Sequence, residues 1–298
     1  MKKFFFDLFI VFTISLLPIC CRTPEINENI KINSDSTLFL IKQIGKFTNR
    51  FCGTENRDSA MNFIFLNMKK YSDTVYIQTF DCDSLKIHNI IGKINPQKQE
   101  RILLYTNYDQ NPEKKDSIDY NSAIALLITL SKTIKENPID KGFDIIFFDG
   151  RYLLNTQSDI NHYLAYCQGS QLWTKNYLTN KNINYEYGMC LVNPTSKGTT
   201  FITDGNSNHF ASKHLKFLKI VAQKNGLENL FSDIISRPYY GDNTIISSIA
   251  GIRSVNLVGT KIINEKPEYI EYENINDINN QEITNILKII LETLYTNH

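Results

Sequence analysis

Two continuous apolar runs, residues 101–108 and 143–148, constrain the fold of this chain more than any other feature. Polar residues bound each run and neither run alternates, which is typical of strands covered on both faces of a sheet. Between the runs, residues 122–135 carry apolar side chains at helical spacing, among them Ile124 and Leu127. A strand, a helix and a second strand in this order predict a right-handed crossover between two parallel strands.

The rest of the chain continues the succession of helical and extended patterns. Helical spacing predicts further helices at 37–49, 55–71, 210–225 and 281–295. Apolar runs predict further strands at 75–80, 88–94, 187–192 and 254–258, the first two forming an antiparallel edge pair. We therefore expect an α/β fold, a three-layer α/β/α sandwich around a mixed, mostly parallel sheet. Functional residues of such sheets collect at the carboxyl ends of the strands, here 107–119, 149–173, 192–195 and 239–243.

The charge balance argues against one class of partner. The 298 residues fit one large domain better than two small ones. The 32 basic residues nearly balance the 31 acidic ones, which gives a formal net charge of +1. The sequence has no long basic cluster of the kind that binds polyanions. Nucleic acid is therefore not expected as a partner.

The N-terminus has the pattern of an export signal. Lys2 and Lys3 precede an apolar run at 4–17, and together they form the basic and hydrophobic parts of a secretory signal peptide. The run contains Asp7 and is shorter than the ~20 residues that span a bilayer. A cleaved signal is therefore expected rather than a membrane-spanning helix.

The residues that follow this run predict a lipid anchor and the domain boundaries. Residues 17–20 (LPIC) resemble a bacterial lipobox, which implies acylation of Cys20, with Cys21 as the alternative. The predicted organisation is a lipoprotein-type signal peptide at 1–19, a polar tether at 20–36 and a globular domain at 37–298. The expected location is the bacterial cell envelope, lipid-anchored on the periplasmic side or at the outer membrane.

Six short segments occur in the same order as in a known group of enzymes. They are FCGT at 51–54, YD at 108–109, Asp119 followed by SAIALL at 122–127, FFDG at 147–150, CQGSQLW at 167–173 and IAGI at 249–252. From residue 37 onward the chain resembles the zinc exopeptidase superfamily, which contains di-zinc aminopeptidases and single-zinc glutaminyl-peptide cyclotransferases (glutaminyl cyclases). The block at 167–173 favours the cyclase branch. The resemblance implies an aminopeptidase-like fold, with zinc as the cofactor of the family.

The same resemblance implies that most of the zinc site is lost. Asp119 is the one ligand position that keeps a metal-binding residue. The ligand positions that carry other residues are Asn107, Tyr152, Val192 and Ile270. Arg151 stands where the family has an acidic general acid/base, and its charge would repel a zinc ion. A catalytic zinc needs three protein ligands and an open position, so no bound cofactor is expected.

Retained acidic and aromatic positions indicate binding instead of catalysis. Asp109 persists at the end of a predicted strand, and Asp242 corresponds to an acidic residue of the cyclases' proton-handling network. Trp173 and Tyr269 occupy positions that resemble the aromatic walls of the cyclase pocket. The alternative is that both aromatic side chains only pack in the core.

Arg151 has two alternative roles. One hypothesis is that its guanidinium replaces the metal as the counter-charge of Asp119, and the other is that Arg151 points to solvent. A separate alternative for the site is a rearranged metal trio that draws on His162, Glu271 and Glu273.

The remaining thiols, hydroxyls and histidines predict no other reactive centre. The four cysteines of the predicted globular domain form no CxxC pair, and their disulfide state cannot be assigned from spacing: Cys52, Cys82, Cys167 and Cys190. Ser170 lies near the site without a Gly-x-Ser-x-Gly elbow or a His/acid partner, so Ser170 and Cys167 are expected to be structural. His209 and His214 are five residues apart on a predicted helix and face different directions, so they do not chelate.

The sequence predicts a cell-envelope lipoprotein with a non-catalytic, glutaminyl-cyclase-like domain. The expected partners are a peptide or a protein N-terminus, and the membrane through Cys20. The alternative is an active glutaminyl-peptide cyclotransferase or metallo-exopeptidase with a rearranged zinc site. A third alternative is an envelope scaffold without a small ligand. Fold alone is weak evidence for activity.

Lipidation can be tested in a bacterial host supplied with an alkyne fatty acid. We expect the wild-type chain to incorporate the label and to sediment with membranes. Cys20→Ala removes both properties, because the acyl chains supply the membrane affinity. The matched control, Cys21→Ala, keeps both. Labelling that survives in Cys20→Ala and is lost in Cys21→Ala would move the anchor to the second cysteine.

Overall fold

The part of the chain that the structure describes forms one sheet with helices on both faces. This computed structural model describes residues 30–82, 84–113, 120–153, 166–180, 183–270 and 273–296. The helices are α1 (Ser34–Ile44), α2 (Glu55–Tyr71), α3 (Asn121–Glu136), α4 (Gln168–Thr179), α5 (Gly205–Phe210), α6 (Ser212–Lys224), α7 (Asp242–Ser248) and α8 (Asn280–Tyr295). The strands are β1 (Thr74–Cys82), β2 (Leu85–Ile94), β3 (Glu100–Asn107), β4 (Gly142–Phe148), β5 (Asn184–Val192), β6 (Thr200–Thr203), β7 (Phe231–Ile235), β8 (Ser254–Ile263) and β9 (Lys266–Tyr269).

The sheet is mixed and has a parallel centre. Its strand order is β1-β2-β4-β3-β5-β8-β6-β7, with β9 paired to β8. The central strands β4, β3, β5 and β8 run parallel, and β3 and β4 end together because Asn107 pairs with Phe148. The predicted parallel crossover is confirmed. The antiparallel pairing of β1 and β2 is also confirmed, although only β1 lies at the edge because β2 also pairs with β4.

The helices divide into two layers, which confirms the three-layer α/β/α prediction. Helices α1, α2, α3, α6 and α8 form one packed group, and α4, α5 and α7 form the other, with α5 also contacting α6, the helix that follows it. Helix α3 is buried along most of its length because α1, α2 and α8 cover it. Its sequence is apolar on nearly every side, as expected for a helix inside a layer.

The N-terminal part of the domain begins earlier than the sequence patterns predict. Helix α1 starts at Ser34, where the Asn33 side chain accepts a hydrogen bond of 2.9 Å from the Ser36 backbone N–H. Ile30 and Ile32 already pack against the core. The ordered domain therefore starts before residue 37, and residues 34–36 of the predicted tether belong to α1. Residues 1–29, with Cys20 among them, lie outside the described residues.

Several short elements were not predicted. The expected helix at 210–225 is α6, which begins at Ser212 because the chain turns at Ala211, whose φ and ψ are −134° and 29°. The short helix α5 that precedes it was not predicted. Strands β6, β7 and β9 contain four or five residues each, too few for a periodicity to appear. Within the described ranges, no helix is both long and apolar enough to cross a membrane.

Candidate functional site

The candidate site lies where the central strands end. The end of β3 supplies Asn107 and Asp109, and the loop after β4 supplies Arg151. Helix α7 begins there with Asp242, which is buried at its first position. Topology thus brings together residues that are up to 135 positions apart in the sequence.

Asp242 accepts hydrogen bonds from two donors through the same oxygen. Its Oδ2 lies 3.3 Å from Arg151 Nη1 and 2.6 Å from Asn107 Nδ2. The other terminal nitrogen of Arg151, Nη2, lies 3.2 Å from the Tyr239 hydroxyl and 3.3 Å from the Tyr240 carbonyl. The guanidinium and the carboxylate are both buried, so this is an ion pair removed from water.

Three tyrosine rings surround the guanidinium of Arg151. Its central carbon lies 5.7 Å from the ring centres of Tyr120 and Tyr152 and 5.4 Å from that of Tyr239. A planar guanidinium suits such a position because it stacks on aromatic faces while its N–H groups donate in plane. The Arg151 side chain is 9% exposed. The alternative that Arg151 points to solvent is therefore wrong.

Two glycines let the helices approach this centre closely. A Cβ on Gly241 would overlap Arg151 Nη1, and a Cβ on Gly169 would overlap the Asp149 carbonyl. Gly241 has extended backbone, with φ 178°, so its requirement is space and not a special dihedral angle. The position of Arg151 therefore depends on the absence of a side chain at residue 241.

Asp109 holds the loop after β4 through hydrogen bonds to its backbone. Its Oδ2 accepts hydrogen bonds from the backbone N–H groups of Arg151, at 2.8 Å, and Tyr152, at 3.5 Å. Burial and the neighbouring Asp149 charge raise the pKa of Asp109 well above its usual range. Asp109 is not among the residues that line the nearby cavity. Its clearest role in the structure is to position Arg151.

A second buried ion pair supports the same loop. The Asp149 carboxylate pairs with Arg57 of α2 and accepts hydrogen bonds from the backbone N–H groups of His88, at 3.0 Å, and Gly150, at 2.9 Å. Gly150 has a φ of +69°, which favours glycine at this turn. Burial raises the pKa of Asp149. The FFDG segment is thus a structural anchor for the site.

A cavity of about 390 Å³ opens above Arg151. It is lined by Asn111, Pro112, Glu113, Arg151, Tyr152, Tyr166, Cys167, Tyr240 and Gly241. Most of its lining comes from the segments expected at the carboxyl ends of the strands. The volume falls within the usual range for small-ligand sites.

The two predicted aromatic walls lie elsewhere. Trp173 is 6% exposed and packs in the core, stacked on Tyr177 at 5.3 Å between ring centres. Helix α4 packs against the sheet, and the Trp173 ring on its inner face contacts Phe148 edge to face. Tyr269 lines a separate surface cavity of about 690 Å³ and meets Tyr239 edge to face at 4.9 Å. Neither residue lines the cavity above Arg151; Tyr152, Tyr166 and Tyr240 line it instead.

The described residues do not fit a zinc ion. The Asn107 amide donates to Asp242 with its nitrogen, and Arg151 brings a positive charge to the same oxygen. Val192 and Ile270 are buried apolar side chains. Across the described ranges, no group of three His, Cys, Asp or Glu residues could hold a metal. Asp119, His162 and Glu271 lie outside the described residues, so the Asp119–Arg151 pairing and the rearranged trio stay predictions.

No activated nucleophile is present among the described cavity residues. Burial raises the pKa of the Cys167 thiol well above its usual range, and the Asp242 charge adds to this effect. Both disfavour the thiolate. Ser170 is fully buried and donates to the Cys167 carbonyl at 3.1 Å. His214 is buried against Tyr187, whereas His209 is exposed on a separate helix. Neither histidine is among the residues that line the cavity.

Glu273 forms a separate buried cluster at the start of α3. Its carboxylate accepts hydrogen bonds from the Ser122 hydroxyl, at 2.6 Å, and backbone N–H, at 3.2 Å. The Thr195 hydroxyl and backbone N–H also donate to it, each at 3.2 Å. Burial outweighs these donors and raises the pKa of Glu273 to about 7. Glu273 thus ties the loop after β5 to α3.

Comparisons with solved structures identify the class of fold. The glutaminyl cyclase of Porphyromonas gingivalis superposes with a TM-score of 0.78 at 21% identity, covering 88% of this chain and 97% of that one. The glutaminyl cyclase of Bacteroides thetaiotaomicron bound to N-acetylhistamine gives 0.78 at 21% identity, covering 93% and 100%. A zinc-dependent exopeptidase of Parabacteroides distasonis gives 0.77 at 22% identity, covering 88% and 98%.

The chain therefore has the fold shared by glutaminyl cyclases and zinc-dependent exopeptidases, in a divergent form. The resemblance noted in the sequence is confirmed at the level of the fold. No protein-family model and no curated protein sequence matches the chain.

The buried Glu273 carboxyl predicts a pH dependence of stability. Folding raises the pKa of Glu273 from 4.5 to about 7. Protonated Glu273 therefore stabilises the folded state fully below pH 4.5, and this stabilisation is lost as the pH rises through 7. Relative to Glu273→Gln, the wild-type free energy of unfolding should fall by roughly 3 kcal/mol over this interval. Urea denaturation at a series of pH values measures this difference. The exposed Glu268→Gln is the control, and a wild-type profile parallel to that of Glu273→Gln would contradict the assignment.

Proposed function

We propose that this protein is a non-catalytic, cell-envelope lipoprotein that binds the end of a peptide or protein chain in the 390 Å³ cavity above Arg151. The observation that carries the proposal is the ion pair between Arg151 and Asp242. This pair lies where the resemblance would place the catalytic site of a zinc enzyme. The fold supplies the scaffold and the cavity, while a buried cation occupies its floor.

The chemistry of the site supports binding over turnover. A catalytic zinc polarises the substrate carbonyl and needs several histidine or carboxylate ligands, which the described site residues do not provide. A general acid/base must gain and lose a proton near neutral pH, and an arginine stays protonated there. Arg151 can therefore donate hydrogen bonds to a ligand but cannot shuttle a proton.

The shape of the cavity supports a small, partly apolar ligand. Tyrosine rings form much of its wall, and such rings bury apolar area while their hydroxyls retain polar contacts. The related Bacteroides thetaiotaomicron structure holds N-acetylhistamine, so this fold can take up a small organic molecule. A chain end of one or two residues is of comparable size.

An active cyclotransferase or metallo-exopeptidase is the second candidate. The fold shared with glutaminyl cyclases and zinc-dependent exopeptidases favours it. Its zinc ligands would have to come from residues beyond those described, such as Asp119, His162 and Glu271. The two candidates differ in metal content and in turnover.

One set of measurements on the purified lipid-free domain separates the candidates. After incubation with zinc and dialysis, we expect well below one zinc per chain by elemental analysis, and no cyclisation of a peptide with N-terminal glutamine. Peptide binding measured by calorimetry should be unchanged by a chelator. Stoichiometric zinc together with cyclisation or cleavage would establish the enzyme instead. No peptide binding in any condition would leave a scaffold.

A further inference from the structure

The floor of the cavity presents hydrogen-bond donors and a positive charge. Arg151 is the one cationic side chain among the described residues that line it. A guanidinium carries only donors, so a ligand group that meets it must be an acceptor. The orientation of the Arg151 guanidinium is fixed, because Asp242 and Tyr239 accept its hydrogen bonds and tyrosine rings pack around its plane.

This floor disfavours a ligand cation. A free peptide N-terminus is an ammonium group, and at the floor of the cavity it would meet the like-charged guanidinium. Asp242 neutralises part of the guanidinium charge, but it is not among the residues that line the cavity and its Oδ2 already accepts from Arg151 and Asn107. An ammonium group would therefore give up its water without gaining Asp242 as a partner. Glu113 lies exposed at the rim, where water screens its charge.

The floor also gives little to a ligand anion. Arg151 and Asp242 form a pair with no net charge, so a carboxylate that leaves water would meet only part of a positive charge. A neutral acceptor loses less hydration than an ion when it enters such a site.

We propose that the cavity selects a chain end that is uncharged and accepts hydrogen bonds, namely an N-terminus blocked by a lactam ring or an acyl group, over a free ammonium end. This inference rests on the proposed peptide-binding function and names its ligand class. The lactam or acyl carbonyl accepts from the Arg151 side of the cavity. The flat amide packs against the rings of Tyr152, Tyr166 and Tyr240.

Peptides that differ only in their first residue test the selection. The set has N-terminal pyroglutamate, acetylated glutamine and free glutamine, each with an amidated C-terminus and the same fluorophore at that end. Fluorescence anisotropy at pH 7 should give at least about tenfold tighter binding for both blocked peptides. The blocked peptide with a free C-terminal carboxylate controls for recognition of an anion and should gain nothing.

The ligand's own titration provides a second readout that needs no variant. A free α-amino group has a pKa near 8, so raising the pH from 7 to 9 removes most of its charge. Affinity for the free-glutamine peptide should then rise toward that of the blocked peptides. The blocked peptides have no such group, so a change in their affinity over the same pH range reports the protein itself.

Removal of the guanidinium should abolish the discrimination. In Arg151→Met the blocked and free peptides should bind within about twofold of each other, whereas the exposed control Arg237→Met keeps the wild-type ratio. If Arg151→Met does not fold, the pH series on the wild-type protein decides. Equal wild-type affinities for free and blocked ends, or preference for the carboxylate, would overturn this inference and leave peptide binding intact. Failure of every peptide to bind would overturn the proposed function as well.

Discussion

The ion pair between Arg151 and Asp242 is the interaction on which the rest of the site depends. A buried carboxylate at the start of α7 needs a positive partner, because an isolated charge in this layer would cost several kcal/mol. Arg151 supplies that partner, with Asn107 as a second donor to the same oxygen. The pair connects the ends of β3 and β4 to α7. It therefore determines both the charge balance of the site and the shape of the cavity.

The surroundings of the guanidinium explain why arginine can occupy this position. Tyrosine rings cover it on several sides, the Tyr240 carbonyl takes one of its donors, and Gly241 leaves room for its end. Asp109 fixes the backbone of the same residue. A lysine would have neither the planar stacking nor the several directed donors. The site is therefore organised around one side chain, as metal sites are organised around an ion.

The central fold could be predicted from the sequence, and the site only in part. The buried runs that became β3 and β4 are long and apolar, so their parallel pairing followed from pattern and handedness. The location of Arg151 at the ends of the strands also followed. The pairing of Arg151 with Asp242 could not be predicted, because Asp242 is 91 residues away and only the packing of α7 brings it near. Whether Trp173 lines a cavity or packs in the core could not be decided, because a single aromatic residue does not reveal which face of a helix meets the sheet.

The central claim is that a guanidinium and not a metal balances the charge of this site. The most direct test is a crystal structure of the protein grown with zinc, with diffraction data collected at the zinc absorption edge. The account predicts no anomalous peak beside Asp242, and Arg151 Nη1 within hydrogen-bond distance of its carboxylate. An anomalous peak at this position, with the Arg151 side chain turned away from Asp242, would contradict it.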